Sequence, residues 1–143
     1  IEYNIIDYVT IATTGDAQDF GDLSQSRTLS CAAGSSSTRM IIAGGADAPG
    51  YGATNTIDYI TMASIGDAID FGDLTATAHG SSVMSNSARA VIYLGGTNGN
   101  SATTDTINYV TISTAGNAAD FGDSTLDSYG LGEGCSDSHG GLG

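Results

Sequence analysis

Acidic residues recur in a short segment of this chain, at a spacing that could hold a metal ion. Three aspartates fall within the eight letters GDAQDFGD, and the segment returns twice further along the chain. They are Asp16, Asp19 and Asp22 in the first copy, Asp67, Asp70 and Asp73 in the second, and Asp120 and Asp123 in the third, where Asn117 takes the first place. Calcium takes about six to eight oxygen ligands, which carboxylates and backbone carbonyls supply. A calcium site is therefore one interpretation of the segment.

A second interpretation needs no metal. Asp and Gly form turns, and an aspartate carboxylate often accepts hydrogen bonds from nearby backbone N–H groups. The spacing of the aspartates matches neither the EF-hand loop nor the glycine-rich nonapeptide of calcium-binding β-rolls. The turn interpretation is favoured, and calcium is the only cofactor that the sequence suggests.

The acidic segment belongs to a longer repeat. Residues 6–23 match residues 57–74 at 13 of 18 positions, so the two stretches are copies, and residues 107–124 form a third. The recurring phenylalanines set a spacing of 51 and then 50 residues and are Phe20, Phe71 and Phe121. A period near 50 residues indicates one supersecondary unit per copy.

The repeats divide the chain, which is expected to form a single region over 1–143. Their predicted bounds are 1–45, 46–96 and 97–143. The pattern at both ends looks cut within a longer array, so we expect blades to be completed either by further residues of the same polypeptide or by another copy of the chain.

Composition and hydrophobic pattern favour short strands. The chain has 21 Gly in 143 residues, one Pro and many β-branched residues, which predicts an all-β fold. Four strand-like pieces occur in one repeat: RMIIAGG at 39–45, TIDYITMA at 56–63, IDFGDL at 69–74 and the less regular TATAHGSSVMS at 75–85. The second piece is apolar on both faces and is expected to be covered on both sides. Four antiparallel strands per 50 residues predict the blade of a β-propeller.

Two other features recur in the predicted blades. Glycine pairs end the apolar strand, where they would let the innermost strands approach closely, and they are Gly44, Gly45, Gly95 and Gly96. Arg39 and Arg89 precede that strand at equivalent places. An ion pair with an aspartate of the DFGD segment is expected for each arginine.

Charge limits the partners. Sixteen acidic residues face three arginines and no lysine, for a formal net charge of -13. Phosphate binding depends on clustered cations, so nucleic acid and anionic membrane surfaces are excluded as partners. No apolar run approaches 18 residues, and no membrane insertion is expected. Cys31 and Cys135 are interpreted as free buried thiols, with a disulfide between them as the alternative.

Recognition is expected from the residues that do not repeat. The loop after the glycine pair offers Asp47 and Tyr51 in one copy and Asn98 and Asn100 in the next, which suits a sugar or a polar epitope. Carboxylates that recur equivalently in every copy are typical of architecture and not of an active site. No catalytic residue is assigned, and the chain is not expected to be an enzyme.

The repeat resembles known sequences. An apolar strand, GG, a polar loop and a Tyr-bearing strand are similar to the kelch plan, although the kelch tryptophan is absent. The segments IIDYVTIATTG and DFGDL together with GSSSTRMIIAGG more closely resemble the propeller-like repeats of tail-fibre and structural proteins of tailed bacteriophages, particularly those of marine bacteria. The resemblance implies an extracellular or virion protein with other subunits as partners, a homo-oligomer, and binding to a host glycan or surface protein. A bacterial surface adhesin or glycan-binding propeller is the alternative, and a glycan-cleaving enzyme is a third.

Overall fold

The computed structural model describes residues 4–28, 31–47, 52–97, 102–129 and 134. Strands make up 63% of this part of the chain, and it contains no helix. The predicted all-β class is thereby confirmed. The described residues include no helix long and apolar enough to cross a membrane.

Thirteen strands follow one another along the chain. They are β1 (Ile5–Tyr8), β2 (Gln18–Asp22), β3 (Arg27–Thr28), β4 (Ala32–Ser35), β5 (Arg39–Ala43), β6 (Ala46–Asp47), β7 (Gly52–Thr61), β8 (Ile69–Ala78), β9 (Ser82–Ser85), β10 (Arg89–Tyr93), β11 (Gly96–Thr97), β12 (Ala102–Thr111) and β13 (Ala119–Ser128).

The strands form three units. Unit 1 is the hairpin β1–β2, unit 2 is the antiparallel meander β4–β5–β7–β8, and unit 3 is the meander β9–β10–β12–β13. The short strands β6 and β11 extend the pairing at the start of β7 and β12, and β3 pairs with β6. The sheets curl into a half-barrel arrangement. Units 2 and 3 keep the period of the sequence repeat but begin at the strand before the recurring arginine, Arg39 or Arg89.

Units 2 and 3 repeat each other in register. Arg39 pairs with Thr61 in unit 2, and Arg89 pairs with Thr111 in unit 3. Both outer hairpins carry an irregularity in the same place, between Ile57 and Asp58 in unit 2. Sequence identity at the recurring positions therefore produces equivalent strand pairing.

The strand pieces read from the sequence are mostly found, with changed limits. The apolar piece at 39–45 becomes β5 and stops before Gly44 and Gly45, whose φ angles of 68° and 103° are unfavourable for other residues. The Tyr-bearing strand begins earlier than expected, at Gly52. The less regular fourth piece is divided, because its first residues continue β8 and its last ones form β9.

The core lies between units 2 and 3. Its members come from both sheets and include Ile41, Ile57, Phe71, Ile92 and Ile112, all nearly inaccessible to solvent. Burial of this apolar surface stabilises the described structure, by about 25 cal/mol per Å² removed from water. The expected cover on both faces of the Tyr-bearing strand is present at Ile57, Asp58 and Ile60 but fails at its end, where Thr61 is exposed. The expected burial of Cys31 is wrong, because that thiol is exposed, and Cys135 lies outside the described residues.

Candidate functional site

The recurring residues meet at two seams, which are the contacts between consecutive units. In seam 1, between units 1 and 2, the turn Gly66–Ala68 lies on the strand end Phe20–Asp22. The Gly66 N–H donates to the Phe20 carbonyl at 2.8 Å, and the Ala68 N–H donates to the Asp22 carbonyl at 2.8 Å. The Asp67 carboxylate accepts in return from the Asp22 N–H at 3.1 Å.

Seam 2, between units 2 and 3, repeats these contacts. The Gly116 N–H donates to the Phe71 carbonyl at 2.7 Å, and the Ala118 N–H donates to the Asp73 carbonyl at 2.8 Å. The amide oxygen of Asn117 accepts from the Asp73 N–H at 3.1 Å. Asp and Asn are interchangeable at this turn because only their acceptor oxygen is used.

A glycine makes the close approach possible at each seam. A Cβ at Gly72 would lie 2.5 Å from the Gly116 carbonyl oxygen, and one at Gly21 would strike the Gly66 carbonyl oxygen. Their φ angles of 145° and 147° are also unfavourable for a residue with a side chain. The glycine of the DFGD segment is therefore required by the neighbouring unit as well as by its own strand.

Seam 1 buries an ion pair. Arg27 and Asp58 form a salt bridge whose side chains are both 0% exposed. The Ser24 hydroxyl donates to the same carboxylate at 2.8 Å. A second guanidinium nitrogen of Arg27 donates to the carbonyls of Gly44 and Thr56, each at 3.3 Å. The buried charges thus have partners on both sides of the seam.

Seam 2 replaces the ion pair with neutral residues. Asn108 stands in the place of Asp58 and accepts from the N–H and the hydroxyl of Thr75, each at 2.9 Å. Ala78 stands in the place of Arg27. The Nδ2 of Asn108 is buried without a hydrogen-bond partner among the described residues. The loss of the carboxylate and the loss of the guanidinium therefore occur together.

Three of the aspartates predicted as calcium ligands accept hydrogen bonds from backbone N–H groups. Asp19 accepts from the Gly21 N–H at 3.1 Å, and Asp120 accepts from the Gly122 N–H at 3.2 Å. Asp67 caps the neighbouring unit as described above. Nowhere in the described part of the chain do three His, Cys, Asp or Glu side chains come together as a cation site. Of the remaining candidates, Asp16 precedes β2, Asp22 ends β2, Asp70 and Asp73 lie in β8, and Asp123 lies in β13.

Among the residues that the structure describes, the arginines at the start of the apolar strand contact aromatic rings and no carboxylate. The guanidinium of Arg39 lies 4.5 Å from the centre of the Tyr59 ring, and that of Arg89 lies 4.9 Å from the Tyr109 ring. Arg39 also donates to the carbonyl of Ser113 in unit 3 at 3.0 Å. The ion pair expected for Arg39 is thus replaced by a cation–π contact and a hydrogen bond across seam 2.

The recurring phenylalanines have one setting within their own units. Each lies edge-on to a tyrosine of the adjacent strand, with ring centres 6.0 to 6.1 Å apart. Their exposure differs: Phe20 is 8%, Phe71 is 3% and Phe121 is 54% accessible. The difference arises because units 2 and 3 cover the first two rings, whereas no described residue covers the third.

The predicted recognition residues lie mostly outside the described residues. Asp47 ends β6 and is exposed, while Tyr51, Asn98 and Asn100 fall beyond the described ranges. The glycine pairs lie just before these loops. A Cβ at Gly96 would lie 2.6 Å from the Cε1 atom of the His79 ring, so a larger residue would clash there.

Sequence reasoning missed the buried pair. Ser24, Arg27 and Asp58 carry no motif, and Arg27 has no counterpart in the other copies. A signal existed, because aligning the copies shows that Asp58 becomes Asn108 where Arg27 becomes Ala78.

A comparison with protein-family models and one with curated proteins each give no match for this chain. Its function is therefore to be inferred from the seams and from the residues that vary between units.

Proposed function

We propose that the chain is a non-enzymatic structural and recognition protein, a propeller segment that presents its variable loops from a virion appendage such as a tail fibre. The observation that carries the proposal is the contrast between the seams and the loops. The seam contacts through Gly66 and Gly116 are the same to within about 0.1 Å, whereas the loop sequences at 48–51 and 98–101 have only glycine in common, and at different places. A fixed scaffold with variable loops is an arrangement suited to binding.

The strand order supports the propeller part of the proposal. Each complete unit is a four-stranded antiparallel meander, as in a propeller blade. The first strands of neighbouring units also meet: the Ser35 N–H donates to the Ser85 hydroxyl at 3.1 Å, and that hydroxyl donates to the Ser35 carbonyl at 3.1 Å. First strands that meet in this way correspond to the innermost strands of adjacent blades.

The use of the acidic residues supports a role without catalysis. One aspartate of the repeated segment in each unit, Asp19, Asp67 or Asp120, accepts a hydrogen bond from a backbone N–H group at a turn or seam. Carboxylates that accept structural hydrogen bonds in each unit are poor candidates for a single active centre. The virion assignment rests on the sequence resemblance, and a bacterial surface adhesin is the alternative location.

An exchange of loops tests the recognition role. Residues 48–51 are replaced with the sequence Asn-Gly-Asn-Ser of residues 98–101, and Ser87→Asn serves as a control in the turn at the opposite end of the strands. Binding is measured on an array of neutral and anionic bacterial glycans. We expect the exchange to abolish binding to a neutral glycan and to leave the melting temperature unchanged. The control should bind normally. Anionic glycans should be repelled by the protein's net charge of -13. Equal binding of the exchanged and native chains would contradict recognition by this loop.

Location is tested separately. Mass spectrometry of virions purified by density gradient should detect the chain among the tail proteins. Detection in the outer-surface fraction of uninfected cells would favour the adhesin.

A further inference from the structure

The two ends of the described array expose the complementary halves of a seam. The head face consists of Ile5, Asp7, Val9, Ile11 and the turn Gly15–Ala17. The tail face consists of Arg89, the segment Phe121–Thr125 and Leu126. We propose that the head face of one copy docks on the tail face of a second copy and forms a third seam with the contacts of seams 1 and 2.

Apolar side chains at the head face are more exposed than their equivalents at the seams. Val9 is 58% exposed, whereas its equivalents Ile60 and Val110 are 6% and 3% exposed. Ile11 is 98% exposed, whereas its equivalents are 41% exposed at Met62 in seam 1 and 1% exposed at Ile112 in seam 2. Covering these side chains would remove apolar surface from water in the same way as in seam 2.

The tail face lacks the cover that its equivalents receive. Phe121 is 54% exposed where Phe71 is buried. A Cβ at Gly122 would have no atom within 4 Å, although the equivalent Cβ at Gly72 would meet the next unit's turn. The tail therefore has the shape that accepts a Gly-Asp-Ala or Gly-Asn-Ala turn, and residues 15–17 of a second copy provide one.

The polar contacts of the third seam follow from the repeat. The N–H groups of Gly15 and Ala17 would donate to the carbonyls of Phe121 and Asp123, and the Asp16 carboxylate would accept from the Asp123 N–H. Two further contacts would repeat those of seam 2. Arg89 would reach the carbonyls of Ile11 and Ala12, as Arg39 reaches those of Ile112 and Ser113.

The head and tail faces also carry an apolar pair where seam 1 has a polar pair. In seam 1 the Gln25 amide donates to the Thr56 hydroxyl at 3.1 Å. Leu126 stands in the place of Gln25 and Ile5 in the place of Thr56, with 77% and 54% of their surfaces exposed. A polar pair inside the chain thus becomes an apolar pair at its two ends, which favours contact between those ends in water.

One residue limits the strength of the third seam. Asp7 stands in the place of Asp58, and Ser128 stands in the place of Arg27. Docking would bring the Asp7 carboxylate against Thr125 without a guanidinium, which is unfavourable for a charge. The two copies also repel through their net charges of -13, and salt screens this repulsion. Association should therefore strengthen with salt and on Asp7→Asn, by roughly tenfold for the substitution.

Analytical ultracentrifugation of the 143-residue chain tests the proposal, and it does not depend on what the loops bind. Native chains should associate with rising concentration into a ring or an open filament, since a head-to-tail contact gives one or the other. Val9→Glu blocks the head and Gly122→Val blocks the tail; Phe121→Glu is a second tail variant in case Gly122→Val fails to fold. Ile69→Glu is the control, because its position is exposed in all three units, and it should associate like the native chain.

The decisive sample is a mixture. A head-blocked copy retains a working tail, and a tail-blocked copy retains a working head, so each should be monomeric alone and the two together should form 1:1 dimers and nothing larger. A native chain that stays monomeric in high salt at every concentration overturns the proposal. So does a blocked variant that dimerises alone, because that result means that another surface associates.

Discussion

The buried ion pair between Arg27 and Asp58 gives the sharpest prediction about stability. Arg27→Ala leaves the Asp58 carboxylate fully buried with only the Ser24 hydroxyl and N–H to stabilise it. Removing one partner of a buried pair costs about 3–5 kcal/mol. The double variant Arg27→Ala, Asp58→Asn rebuilds the arrangement that Ala78 and Asn108 already have in seam 2. It loses the packing and carbonyl contacts of the guanidinium but carries no buried charge, so we expect a cost of only about 1–2 kcal/mol.

The assay is urea unfolding of the native chain, both single variants and the double variant, followed by circular dichroism. The double variant should be more stable than Arg27→Ala by about 2–3 kcal/mol, which corresponds to a melting temperature higher by roughly 5–15 °C. Asp58→Asn alone should also be less stable than the double variant, because the guanidinium then lacks its counter-ion. Single-variant costs that simply add in the double variant would refute the reasoning, since residues in one buried network are expected to couple.

Three other substitutions test the seams. Gly72→Val should destabilise the chain by more than about 3 kcal/mol in urea unfolding, because its Cβ strikes the neighbouring turn. Gly122→Val has nearly the same φ but open space around its Cβ, and it should cost clearly less. Equal costs for the two variants would mean that backbone strain alone matters. Asn108→Asp places a carboxylate in seam 2 with no arginine beside it and should cost about 2–4 kcal/mol by the same assay, whereas an unchanged midpoint would show that the site is hydrated. Arg39→Gln should lower the melting temperature by a few degrees through loss of its ring contact and its bonds across seam 2. Arg89→Gln should lower it less, because the ring is the only contact of that guanidinium within the described residues. The reverse order would contradict the assigned contacts.

The parts of the fold that repeat were predictable from the sequence. The apolar strand, the glycine pair and the recurring phenylalanine appear in the structure where the period placed them, because each depends on residues close together in the chain. The all-β class follows from composition alone. The limits of β7 and β8 were less predictable, since strand length is decided by the neighbouring strand, with which β7 pairs as far as Thr54 and Ala78.

The seam contacts were less accessible to sequence reasoning. Arg27 and Asp58 are 31 residues apart and belong to different units, so no local pattern joins them. For Arg39 the predicted partner was an aspartate, since cations in an acidic chain are expected near carboxylates. The register that pairs Arg39 with Thr61 sets its guanidinium over the ring of Tyr59 instead.

The difference between the two seams also fixes the order of near-identical units. A chain with repeated sequences is prone to misassembly, because one unit can dock where another belongs. If unit 3 docked on unit 1, Arg27 would face the neutral Asn108. If the head of unit 1 docked on unit 2, the Asp7 carboxylate would be buried beside Ala78 without a cation. Each error leaves one unpaired charge, which is costly in a dry interface. The charged pair of seam 1 therefore adds specificity to contacts that are otherwise the same at both seams.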